Sequence, residues 1–230
     1  MTVFPKDYST DPARFAAARE SASRWSTVGD VHPVVAARFE EQRLEPVLDI
    51  GCGDGALRMA LAPSWPWVGI DEDEPLLRVA GRPGAVADAT HCPVRDSSFG
   101  GVAALWMLYH LDDPRCAIAE ARRALRPGGL FATCTTARDD SPELFEFFGP
   151  PEPTRFDAEE GPDIVAGVFG ADRVAVDAWD GPFTVLPDRD AVATFLRGRG
   201  IRVERAEEVA ASVVIPFNVT KRGVLIWARK

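Results

Sequence analysis

Residues Val47 to Leu57 read VLDIGCGDGAL, an apolar run that ends in an acid and then in glycines at alternate positions. A glycine-rich turn after a strand brings backbone N–H groups close to a ligand with no Cβ in the way. Two spacings coexist here. Gly51, Gly53 and Ala56 satisfy the dinucleotide fingerprint G-x-G-x-x-G/A, and Asp71 follows at about the distance of its ribose-binding acid. Asp49, Gly51, Gly53 and Gly55 also satisfy Asp-x-Gly-x-Gly-x-Gly.

Charge separates the two readings. A pyrophosphate needs N–H donors, a helix N-terminus and no nearby anion. Here Asp49 precedes the glycines, Asp54 lies among them, and no Lys or Arg occurs between Leu44 and Leu57. Two carboxylates repel a dianion and suit a ligand with a cationic head. S-adenosylmethionine is such a ligand, with an α-ammonium, a sulfonium and one carboxylate. Asp71, at the end of WVGID, can then accept both ribose hydroxyls. Asp88, in VADAT, can accept the adenine amino group, with the Ala89 backbone N–H nearby. A nicotinamide-dependent oxidoreductase is the rival enzyme class, and it requires dinucleotide binding despite Asp49 and Asp54.

The elements that must hold these acids alternate. Short apolar runs without period-2 patterning predict strands buried on both faces at Val47–Ile50, Trp67–Ile70, Ala85–Ala87, Val102–Leu108 and Leu130–Thr135. Helices are predicted between them at Ala56–Ala62, Pro75–Ala80 and Pro114–Leu125, the last capped by Asp113 and ended by RPGG. This alternation implies an α/β fold whose parallel sheet gathers the strand C-termini, and the ligand, along one edge. Two helices precede it, one starting at Thr10 or Asp11 and one over HPVVAARFEEQR. After Thr136, DDSPELFEFFGPPEPTRFDAEEGPD mixes Leu144, Phe145, Phe147 and Phe148 with prolines and reads as a lid or substrate-facing insertion. A strand over Arg173–Ala178, a helix capped by Asp188, and one or two strands around a Lys-Arg-Gly turn complete the chain.

The 230 residues suffice for one well-buried α/β domain. With 26 Lys and Arg against 35 Asp and Glu the net charge is −9, which argues against a nucleic-acid partner. Cys52, Cys92, Cys116 and Cys134 show no C-x-x-C pairing, so no metal or disulfide role is expected. No apolar segment is long enough to span a bilayer and no secretory leader is evident, so a cytoplasmic protein is expected.

The region from Pro46 to Thr136 resembles class I S-adenosylmethionine-dependent methyltransferases of the bacterial small-molecule type. The resemblance rests on VLDIGCGDG, VGIDEDEPLLRVA, GAVADATHCPVRDSSFG, WMLYHLDDP and ALRPGGLFATCTT, in the family's order and spacing. It implies a Rossmann-like, doubly wound, mostly parallel seven-stranded sheet with N-terminal helices and an insertion after the fifth strand. On this reading 1–230 is a single domain: an N-terminal helical cap at 1–43, a cofactor-binding core at 44–136, substrate-facing elements at 137–200 and closing strands at 201–230.

The resemblance also implies that Asp49, Gly51, Cys52, Gly53, Asp71, Asp88 and Ala89 line the cofactor, joined by the strand end Ala104, Leu105 and Trp106. Glu72 is carried with Asp71, although for Glu72, Asp73 and Glu74 the plainer reading is a solvated acid. Gly100 departs from the family's usual Asp and is expected to weaken a local turn; Leu105 and Trp106 make their wall more apolar. His110, just beyond the fourth strand, is the candidate general base, since imidazole changes charge near neutral pH. A histidine packed on the following turn is the alternative, as for Tyr109; His32 and His91 have no motif around them. Phe4, Tyr8, Phe15 and Trp25 are candidates for a lid over the cofactor, or for packing of the first helix.

The implied activity is methyl transfer from S-adenosylmethionine, leaving S-adenosylhomocysteine, to oxygen or nitrogen of a small acceptor with some apolar or aromatic surface. No nucleic acid or membrane is expected as partner. A non-methylating protein with the same site, such as a cyclase or a partner subunit, is the alternative, because fold and cofactor site do not fix the reaction.

Overall fold

A computed structural model describes residues 11–27 and 30–230. In chain order its helices and strands are α1 (Pro12–Trp25), α2 (His32–Glu41), β1 (Val47–Ile50), α3 (Ala56–Ala60), β2 (Trp67–Asp71), α4 (Glu74–Ala80), β3 (Gly84–Val86) and β4 (Phe99–Leu105). They continue as α5 (Pro114–Ala124), β5 (Leu125–Thr136), α6 (Phe145–Phe148), α7 (Gly161–Phe169), β6 (Val174–Leu186), α8 (Arg189–Gly198), α9 (Val203–Ser212) and β7 (Phe217–Arg229). The seven strands form one sheet in the order β3-β2-β1-β4-β5-β7-β6. Strands β1 to β5 pair in parallel, whereas β7 runs against β5, with Lys230 bonded to Gly128 and Gly129. The order reverses between β1 and β4, and a doubly wound sheet binds ligands at the strand C-termini beside that switch.

The chain divides into two compact units. The larger comprises Val31–Thr135, Thr154–Ala178 and Val224–Lys230. Its core joins Leu48, Ile50, Val102, Ala104 and Phe131 of the sheet to Ala117, Ile118 and Ala121 of α5 and to Ile164, Val165 and Phe169 of α7. Helix α5 forms as its sequence predicts: Asp113 accepts from the Arg115 N–H at 3.0 Å and Pro114 opens the first turn. Ala117, Ile118, Ala121 and Ala124 then make one buried stripe. Phe131 and Phe169 stack with centroids 5.5 Å apart.

The smaller unit takes in the described residues up to Asp30, Thr136–Pro153 and Trp179–Gly223. Leu144, Leu186, Val192, Phe195, Leu196, Val209 and Val219 are its core, with Trp25, Phe147 and Phe148 packed against it. Leu144 is therefore an interior residue of this unit. Helices α1 and α8 cross closely at Gly198, where a Cβ would lie 2.7 Å from the Ala18 backbone. The buried Asp140 binds both Lys221 and Arg199, the latter at 2.9 Å, and accepts from the Arg222 N–H at 2.9 Å.

Several boundaries differ from expectation. The fourth strand ends at Leu105 rather than Leu108, because Trp106 turns to φ 57° and Leu108–His110 form a 3-10 turn. Helix α5 stops at Ala124, just before RPGG as expected, but RPGG already lies in β5, where the pairing with β4 shifts register between Phe99 and Gly101. Gly100 lies in β4, not in a turn: a Cβ there would sit 2.6 Å from the Leu44 carbonyl carbon, which excludes an Asp. The Lys-Arg-Gly stretch is not a turn either. It runs through an unbroken β7, where Arg222 pairs with Asp139 and Asp180. Helices α7 and α9 were not expected; neither has a side-chain cap.

Candidate functional site

The candidate cofactor residues and His110 fall in the larger unit, on or just beyond the C-terminal ends of β1, β2 and β4 and in the loop after β3. Beyond β1 the backbone takes positive φ at Gly51 and Gly53, 68° and 53°. These left-handed turns aim successive N–H groups inward: those of Gly51 and Cys52 both bond the Ile70 carbonyl, at 2.7 and 3.0 Å. A side chain at Gly51 would meet Met107 Cγ at 2.8 Å, so that residue seals one side of the turn. Gly53 is the opposite case. A Cβ there has no atom of the protein within 4 Å, so its face opens onto space that a ligand can enter.

Asp71 closes the loop from β2. Its Oδ2 accepts from the Gly53 N–H at 2.7 Å and its Oδ1 from the Asp73 N–H at 2.8 Å. Burial raises its pKa, while these two donors pull it back. A carboxylate held by two backbone donors retains lone pairs for a diol. Asp73, in turn, caps α4 by accepting from the Leu76 N–H at 3.0 Å, Glu74 pairs with Arg78, and Glu72 is exposed.

Asp49 is only 3% exposed. Burial pushes its pKa up to about 7, against the opposing influence of His32 and of the Trp67 indole N–H, which donates to Oδ2 at 3.3 Å; Asp71 adds to the rise. Cys52 is buried, and burial together with Asp49 and Asp71 pushes its thiol well up, so it is a packed thiol and not a nucleophile.

Asp88 is different in kind. Its side chain is 64% exposed, and Oδ1 accepts from both the N–H and the hydroxyl of Thr90 at 2.8 Å, which lowers its pKa. Ala89 is half-buried against the core. At the end of β4, Ala104 and Leu105 are buried; Ala104 packs in the core and its carbonyl accepts from Thr133 at 2.7 Å. Half-buried surface at this strand end thus begins with Trp106 and Met107, and Tyr109 and His110 follow with ring centroids 4.6 Å apart.

Three contributors had not been singled out: Met107 over Gly51, Trp67 on Asp49, and His32 near it. Of the lid candidates, Phe4 and Tyr8 lie outside the described residues, as does Thr10, while Asp11 caps α1. Among the described residues, no group of three His, Cys, Asp or Glu is placed to hold a metal. No helix among them is long and apolar enough to cross a membrane.

Comparison with known proteins agrees with this geometry. Residues 48–133 match the family described as a methyltransferase domain. The 27-O-demethylrifamycin SV methyltransferase of Amycolatopsis mediterranei is 32% identical over 179 residues, 71% of this chain and 56% of that protein. The ubiquinone biosynthesis O-methyltransferase of Idiomarina loihiensis is 32% identical over 153 residues, 57% of this chain and 63% of that protein. Among solved structures, the (4+2)-cyclase SpnF superposes with a TM-score of 0.62 at 16% identity, covering 96% of this chain and 93% of that one, a likeness of fold. The chain spans less than two thirds of the length of the first curated relatives it matches. The methyltransferase-domain match over 48–133, the methyltransferase relatives and the shared fold support the class I S-adenosylmethionine-dependent methyltransferase family. The cofactor of that family is S-adenosylmethionine, and the open Gly53 face beside Asp71 fits it.

Proposed function

We propose that the protein transfers the methyl group of S-adenosylmethionine to an oxygen or nitrogen of a small molecule that presents apolar or aromatic surface. The observation that carries this reading is the Gly51–Gly53 turn, strapped by Asp71 and open at Gly53. The relatives named as methyltransferases of ubiquinone biosynthesis and of a rifamycin favour oxygen as the acceptor atom.

The bound cofactor supplies an already activated methyl group, so the protein's part is alignment and exclusion of water. Asp49 and the Gly51–Gly53 backbone would hold the cationic amino-acid end, Asp71 the ribose and Asp88 the adenine amino group. Trp106 and Met107 would wall the methyl region with apolar surface. His110 would take the proton of an acceptor hydroxyl as it attacks.

The test uses purified protein, methyl-labelled S-adenosylmethionine and a fractionated metabolite extract, with products followed by mass spectrometry. Label in one hydroxyl-bearing compound supports the reading. Binding of the cofactor without formation of S-adenosylhomocysteine would favour a non-methylating protein, the reading to which the fold of SpnF lends support.

A further inference from the structure

We infer that Trp67 is a positioning residue of the cofactor site, its indole N–H fixing the orientation and supporting the charged form of the Asp49 carboxylate. The inference rests on the cofactor reading above, and its geometry follows from strand register. In the parallel β1–β2 pair Val47 lies beside Trp67 and Asp49 beside Gly69. Side chains two apart share a face, so Trp67 and Asp49 project from the same side of the sheet, one step apart along it. A side chain at Gly69 would stand between them. Because residue 69 is glycine, the Trp67 ring lies across it: a Cβ there would sit 2.7 Å from both Trp67 Cζ2 and Cys52 Sγ, and closer still to Trp67 Cη2. The ring edge thereby reaches Asp49, and Nε1 donates to Oδ2 at 3.3 Å.

Both partners are buried, Trp67 at 4% and Asp49 at 3% exposure, so this bond forms in a setting where an unpaired carboxylate strongly favours its neutral form. The titratable groups around Asp49 are His32 at the start of α2, Asp71 at the end of β2 and the Cys52 thiol in the loop. Of these only His32 opposes the effect of burial, and Trp67 adds the second opposing influence. Loss of the indole donor therefore leaves Asp49 neutral over a wider pH range, and a neutral acid attracts no ammonium group.

The test begins with the cofactor-free protein, nitrogen-15 labelled, in which Trp67→Phe assigns the Trp67 indole cross-peak. That peak is expected to move with a midpoint near that of Asp49, between about pH 5 and about 9, and to stop moving in Asp49→Asn. Calorimetry with S-adenosylhomocysteine is then expected to show about five- to tenfold weaker binding by Trp67→Phe, the size of one lost hydrogen bond. The pH midpoint of binding should also shift upward, an effect that a loosened fold would not produce. A stationary indole in a protein that binds S-adenosylhomocysteine, or an unchanged pH midpoint in Trp67→Phe, overturns the role of Trp67 alone. A titrating indole in a wild-type protein that binds no S-adenosylhomocysteine overturns the cofactor reading, and the role of Trp67 with it.

Discussion

The Gly53 backbone N–H donates to Asp71 Oδ2 at 2.7 Å, so the acid that ends β2 is also the strut beneath the glycine loop. A second N–H, from Asp73, holds its other oxygen. Asp71→Ala removes both bonds as well as the acceptor offered to a ribose. Binding of S-adenosylhomocysteine is expected to fall on the order of 100-fold, since hydrogen bonds to a charged group contribute about 1.5–3 kcal/mol each. Calorimetric titration checks this, and retention of affinity within twofold would refute the assignment.

Gly51 and Gly53 should fail in different ways when changed to alanine. At Gly51 the new methyl meets Met107 Cγ at 2.8 Å on top of the same left-handed backbone cost, so Gly51→Ala is expected to lower stability by about 2–5 kcal/mol. Met107→Ala in the same chain should restore part of the loss. At Gly53 no atom of the protein stands within 4 Å, so stability should fall only by the roughly 1–2 kcal/mol of a left-handed backbone, while cofactor binding collapses. Parallel urea melts and binding titrations separate the two.

Stability should respond to pH through Asp49. Burial raises its pKa from 3.8 to about 7, so across that window the folded chain binds more protons than the unfolded one. Stability without cofactor therefore falls as pH rises toward 7, by an amount on the order of 4 kcal/mol from this group. Cofactor binding should run the other way and strengthen as Asp49 ionises. Melts and titrations of the wild type and Asp49→Asn at matched pH values test both slopes, which should flatten in the variant.

Asp140 carries the opposite sign. Burial would raise its pKa, but Lys221 and Arg199 outweigh it and hold the carboxyl down at about 2. Its contribution to stability is present above 3.8 and is lost as pH falls toward 2. Asp140→Asn leaves the half-buried Lys221 and Arg199 without their shared buried partner and is expected to cost about 3–5 kcal/mol at neutral pH. Denaturant unfolding followed by circular dichroism measures it; a loss below 1 kcal/mol would contradict the role given to the pair.

His110 is tested by separating turnover from binding. His110→Gln is expected to lower kcat by about 10²–10⁴ with cofactor affinity unchanged, if the imidazole takes the acceptor proton. A variant of full activity would return His110 to packing beside Tyr109.

The alternation of strands and helices and most of the loop were legible in sequence because each depends on local pattern: unbroken apolar runs, cap residues and glycine spacing. Asp71 could be read directly, since it ends a strand at fixed distance from the glycines. Trp67 could not, because its partnership with Asp49 depends on the register between β1 and β2 and on the absence of a side chain at Gly69. Met107 was hidden for a similar reason. Its approach to Gly51 follows from the left-handed Trp106, a conformation that apolar composition gives no hint of. The unforeseen α7 and α9 carry no capping side chain, so their starts left no mark to read.

The chain passes between its two units at 30/31, 135/136, 153/154, 178/179 and 223/224, and the fourth and fifth of these passages fall within β6 and β7. Neither unit is therefore a contiguous stretch of gene. A single crossover between related genes would deliver a chimaera carrying fragments of both units, with mismatched halves in at least one core. Shuffling this protein with its relatives should succeed only when the stretch up to Asp30, 136–153 and 179–223 travel together, which makes its smaller unit an object of coordinated substitution and not of modular exchange.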